Sequence, residues 1–158
     1  MKRLVTALTM LALPALAGED IVPKLLQHWK TSKAYTIAIA QQMPEADYGF
    51  RPNPDEMTFK EQLMHIAGMN EYFMSKITGV KAPLAKPATL DKASVIRALN
   101  ESFDYAIKTI GSLTPEQAGK NLENLLLAMD HTTHHRGQCV VYLRARGIKP
   151  AEYPYFPH

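Results

Sequence analysis

The sequence predicts an all-α protein, a four-helix bundle behind an N-terminal signal peptide. Four stretches carry apolar residues at helical spacing, and the Pro and Gly punctuation falls between them rather than within them. No segment alternates well enough to make a pair of strands. At 158 residues the chain is long enough for one domain with a core that needs no covalent staples.

The first residues read as a leader. Met1-Lys2-Arg3 precedes an apolar run from Leu4 to Leu16, and Ala15-Leu16-Ala17-Gly18 is a small-residue cleavage site, so the cut is expected after Ala17. The run holds Thr6, Thr9 and Pro14 and falls short of the roughly 20 apolar residues a spanning helix needs. No stable membrane anchor is expected. Gly18 rather than a cysteine follows the cut, which leaves no site for a lipid. The expectation is a domain over residues 18–158, exported to a periplasm or secreted.

The first helix is expected from about Asp20 to Met43, with Pro23 tolerated in its first turn and Leu25, Leu26, Trp29, Ala34, Ile37 and Ala38 facing inward. A connection from Pro44 to Met57 follows, which Pro52 and Pro54 are expected to hold extended. Thr58 and Glu61 form a capping box for the second helix, whose stripe Phe59, Leu63, Ile66, Phe73, Ile77 runs to Gly79. A linker from Val80 to Leu90 leads to the third helix, about Asp91 to Gly111, with Val95, Leu99, Phe103, Ala106 and Ile110 inward. Thr114-Pro115-Glu116-Gln117 opens a further turn. The last helix covers about Leu122 to Arg146 and stops at Gly147, before a Pro- and Tyr-rich tail.

Charge narrows the function classes. Losing Lys2 and Arg3 with the leader lowers Lys+Arg from 18 to 16 against 15 acidic residues, a formal charge of +1. No basic run that could track phosphates is left, which argues against nucleic acid as a partner. Cys139 is the only cysteine. A disulfide within the chain and C-x-x-C chemistry are therefore excluded, and Cys139 itself reads as a buried, inert thiol.

The chemistry concentrates in Asp130-His131-Thr132-Thr133-His134-His135-Arg136-Gly137-Gln138, which holds three of the six histidines. On a helix, His131 and His135 stand one above the other, as the two histidines of H-E-x-x-H do when they bind zinc. The Glu of that motif is missing, and with it the general base of a protease. Spacing alone also lets His131 pair with His134. A third ligand must come from elsewhere, and of His28, His65 and His158 the best placed is His65. It lies beside Ile66 of the second helix's core stripe, where a buried ring needs a partner.

The run from His131 through Arg136-Gly137-Gln138 to Val141-Tyr142-Leu143-Arg144 and Gly147-Ile148-Lys149-Pro150 resembles the H-x-x-x-H-R-G-Q helix and G-I-x-P exit of the DinB-like proteins of the DinB/YfiT superfamily. Phe50-Arg51-Pro52, leading through Thr58-Phe59 to His65-Ile66-Ala67, is similar to that family's R-P segment ahead of a histidine. The resemblance spans nearly the whole mature chain. It implies a four-helix bundle with a divalent metal, zinc or nickel, held by His65, His131 and His135. It selects His135 over His134, which becomes a residue beside the site, and it implies that a homodimer is to be expected.

Three neutral imidazoles leave one position of a tetrahedral ion open, the arrangement of catalytic zinc. Gln138 and Tyr142, one and two turns beyond His135, are candidates to orient the ligands or a substrate. The family resemblance implies thiol-dependent transfer to a small molecule. An exported protein meets few low-molecular-weight thiols, so metal-assisted hydrolysis stands beside transfer, and a non-enzymatic metal-binding or stress-related role is the alternative.

Overall fold

The computed structural model describes residues 20–155, all-helical with no strand among them. The leader and its cut after Ala17 lie outside the described residues, as does His158. No helix among those described is long and apolar enough to cross a membrane.

Four long helices and one short one follow in order: α1 (Val22–Gln42), α2 (Phe59–Thr78), α3 (Lys92–Gly111), α4 (Pro115–Lys120) and α5 (Leu122–Ala145). Their ends follow the chemistry of the sequence. Asp20 accepts from the Val22 amide at 3.0 Å ahead of α1, and Pro23 occupies the first turn. Thr58 and Glu61 complete the capping box of α2, an arrangement worth about 1 kcal/mol. Asp91 caps α3 through the Ser94 amide at 2.8 Å, and Thr114 with Gln117 boxes α4. Gly79 and Gly147 end α2 and α5 with φ of 72° and 73°, the left-handed turn that a Cβ resists.

α2 packs most heavily against α3 and α5, α1 packs against α3, and α1 meets α5 only lightly. The core between them is dense. Trp29, Ile39, Phe59, Leu63, Ile66, Leu99, Phe103, Ile110, Leu125 and Leu143 are all but sealed from solvent. The light joint between α1 and α5 is filled differently, by the buried guanidinium of Arg136 and by the chain after Gly147. That tail turns back along α1. Gln42 grips its backbone twice, donating to the Lys149 carbonyl at 3.0 Å and accepting from the Ala151 amide at 2.8 Å. Tyr155 then donates to the His28 carbonyl at 3.0 Å.

Two expectations need correction. The inward face of α1 is Leu25, Trp29, Ser32, Thr36, Ile39 and Ala40, with Tyr35 beside it, whereas Ala34 is exposed. An apolar count misplaced the stripe because two of its members are hydroxyl residues, buried to receive Arg136. The connection after α1 is also not extended. Glu45–Asp47 forms a 3₁₀ turn, Asn53 closes a tight turn by accepting from the Asp55 and Glu56 amides, and Tyr48 is buried with its hydroxyl on the Ala40 carbonyl at 2.7 Å.

Candidate metal centre

Each of the three histidines is placed by the helix that carries it. His65 leaves α2 on the flank that faces α5, one residue before the sealed Ile66. His131 and His135 leave α5 one turn apart on the flank that faces α2. All three rings are half-buried, and one ligand atom from each can be chosen so that all lie within 4.8 Å of one another. Ring centroids are 4.7 Å apart for His65 and His131, 4.5 Å for His65 and His135, and 4.4 Å for His131 and His135.

The Nε2 atoms of His65 and His131 stand 3.1 Å apart. Two imidazole nitrogens bound to one tetrahedral ion at 2.0–2.1 Å would be roughly 3.3 Å apart, so this pair needs almost no movement to share a cation. The donor set, three neutral-capable imidazoles and no thiolate, suits a borderline divalent ion. The residues present fit such an ion.

The protein itself fixes the tautomer of His135. Its Nδ1 lies 2.5 Å from the side-chain carbonyl of Gln62 on α2, which can only accept. The Gln62 amide group donates in turn to the Tyr142 hydroxyl at 3.3 Å, and Tyr142 donates to the Met57 carbonyl at 2.8 Å. Each link of this chain pairs a donor with an acceptor, so Nδ1 of His135 carries the hydrogen and Nε2 keeps its lone pair for a ligand. Gln62 and Tyr142 are 3% and 1% exposed, and packing holds both in place. Nδ1 of His131, by contrast, is buried without a hydrogen-bond partner among the described residues.

Burial and the neighbouring rings act together on basicity. Desolvation, then the proximity of His131, His65 and His134, pulls the pKa of His135 down to about 4. His131 is lowered by burial and by His65 and His134, with Asp130 opposing. Both rings are thus held neutral at physiological pH, the form that binds a metal.

The other sequence candidates divide. His134 is exposed and meets His135 edge-on at 4.8 Å. Tyr142 reaches the triad, but only through Gln62. The side chain of Gln138 makes no hydrogen bond among the described residues, and the amide that does reach the site is Gln62, which reading the histidine helix alone could not find. One signal was present: Gln62 lies three residues before His65 on the same helix. Cys139 is fully buried, and burial pushes its thiol well up, which leaves it protonated and inert.

The sequence profile of the DinB superfamily matches residues 28–139, a stretch that includes all three histidines. The chain belongs to the DinB superfamily. Over 140 residues it is 25% identical to the uncharacterized protein YjoA of Bacillus subtilis (strain 168), covering 78% of this chain and 90% of YjoA. The crystal structure of YjoA, a DinB-like protein, aligns with a TM-score of 0.67 at 19% identity, over 85% of this chain and 99% of that one. That likeness establishes a shared fold. The end of α5 and the tail after Gly147, which straps α1, lie beyond the superfamily match.

Proposed function

We infer that this DinB-superfamily protein holds a divalent metal, zinc or nickel, at His65, His131 and His135, and uses it on a small molecule by hydrolysis or group transfer. The observation that carries the reading is the convergence of three half-buried imidazoles from two helices, with the Nε2 atoms of two of them 3.1 Å apart.

A divalent cation there supplies Lewis acidity and lowers the pKa of a water or thiol that reaches it. The chain supplies the rest. Gln62 and Tyr142 keep Nε2 of His135 unprotonated and aimed, and the sealed core behind α2 and α5 keeps solvent from the inner side of the rings. Substrate approaches from the outer side, where the three rings remain partly exposed.

One observation favours a second reading, a metal-binding protein without turnover. No carboxylate hydrogen-bonds to any of the three rings among the described residues, so no acid or base stands ready beside them. Turnover decides between the two. The metal-loaded protein is offered thiols with model electrophiles, and separately hydrolysable esters. Rates well above those of His65→Ala support the enzyme, and rates equal to that variant's leave the binding role.

Export to the periplasm is part of the proposal. The supporting feature is the basic start, short apolar run and Ala15-Leu16-Ala17 at the N-terminus. A mature protein beginning at Gly18 in the periplasmic fraction is expected. A cytoplasmic protein that keeps Met1-Lys2-Arg3 would contradict it.

A further inference from the structure

Arg136 is the most buried cation among the described residues, 2% exposed, and it turns toward α1 while its neighbour His135 turns toward α2. Its guanidinium donates to Ser32 Oγ at 2.7 Å and to Thr36 Oγ1 and Thr133 Oγ1 at 3.4 Å each, and it lies over the Tyr35 ring at 5.2 Å. All of these partners are neutral. Hydroxyls and a π face satisfy donors, but they leave the charge itself uncompensated in a poorly solvated place. Two cations nearer the surface are paired with carboxylates: Arg146 meets Asp47 at 2.8 Å, and Lys33 meets Asp104 at 2.6 Å. Arg136 has no carboxylate partner among the described residues.

Arg136 is also among the residues that line a groove of about 350 Å³ between α1, α5 and the returning tail, its guanidinium lying just beneath the surface. Tyr35 and Tyr153 wall it with rings 5.5 Å apart and nearly perpendicular, Val140 adds an apolar surface, and Thr133 adds a hydroxyl. Arg144, exposed and two turns beyond Arg136 on the same helix, brings a second positive charge to the opening. No acidic residue lines the groove.

We propose that this groove binds a small aromatic carboxylate, its ring against Tyr35, Tyr153 and Val140 and its carboxylate in the field of Arg136 and Arg144. The aromatic and apolar walls select a flat body, and the two guanidinium groups with no acidic residue among the lining select an anionic head. The site lies on the flank of α5 away from the three histidines, so it is separate from the metal centre and does not depend on it.

Benzoate is the probe, titrated by calorimetry into the full chain after chelator treatment. A carboxylate could also ligate a metal, and chelation removes that route. Saturable binding is expected, undiminished in His65→Ala and weakened about tenfold in Arg144→Gln, the loss typical of a charge-assisted contact. Tyr153→Ala should weaken benzoate while leaving the fold intact by circular dichroism. Absence of saturable binding at millimolar benzoate, affinity unchanged in Arg144→Gln, or equal affinity for inorganic phosphate would overturn the proposal.

Discussion

The side-chain carbonyl of Gln62 sits 2.5 Å from Nδ1 of His135 and, through Tyr142, ties one ring of the triad to the backbone of the connection before α2. A histidine held this way presents a single nitrogen to a ligand. The candidate metal centre therefore extends beyond its three imidazoles to a buried amide and a buried phenol.

Removing Gln62 should cost affinity more than structure. Outer partners of ligating histidines typically contribute 10–100-fold to metal binding, so Gln62→Ala is expected to weaken zinc by about that factor in a competition titration with a chromogenic chelator. Tyr142→Phe should show a smaller loss, because the phenol acts one bond further out. An unchanged affinity in Gln62→Ala would refute the relay.

The buried guanidinium gives a stability prediction. Ser32→Ala removes the 2.7 Å bond to Arg136, and losing a hydrogen bond to a charged group costs about 1.5–3 kcal/mol. Urea denaturation should show a midpoint shift with an unchanged slope. A variant as stable as the parent would mean that Arg136 finds its compensation elsewhere.

Acid should destabilise the metal-free protein. In the unfolded chain His135 titrates near 6.5, whereas in the fold its pKa falls to about 4, and His131 is lowered as well. Between those values the unfolded state binds more protons, so stability rises with pH. The contribution is fully present above about 6.5 and is lost as pH falls through about 4. Melting temperatures of chelator-treated protein should drop across that window, and less steeply in His135→Ala. A melting temperature that climbs on acidification would contradict the sign.

How much of this was legible in the sequence varies by helix. α3 showed all of its buried apolar residues, Val95, Leu99, Phe103, Ala106 and Ile110, although Ser94, Ser102 and Thr109 are buried beside them. α1 hid its stripe, since Ser32 and Thr36 face inward for a charge that lies about 100 residues further along the chain. α5 offers no clean stripe at all. It buries Thr132 and Arg136 while exposing Leu122, Leu126, Leu127 and Val141, so its apolar residues marked a helix without marking the face it buries. The i, i+4 spacing of His131 and His135 was readable locally. His65 was singled out from its apolar surroundings, and its convergence with the pair depends on how α2 packs on α5. Gln62 went unnoticed because an amide on a helix carries no signature until the ring it touches is in place.

The most direct measurement is the metal content of purified protein by elemental analysis, run on the parent and on single histidine variants. About one divalent ion per chain is expected in the parent, lost in His65→Ala, His131→Ala and His135→Ala but retained in His134→Ala. A parent without stoichiometric metal, or triad variants that keep the parent's content, would contradict the three-histidine centre.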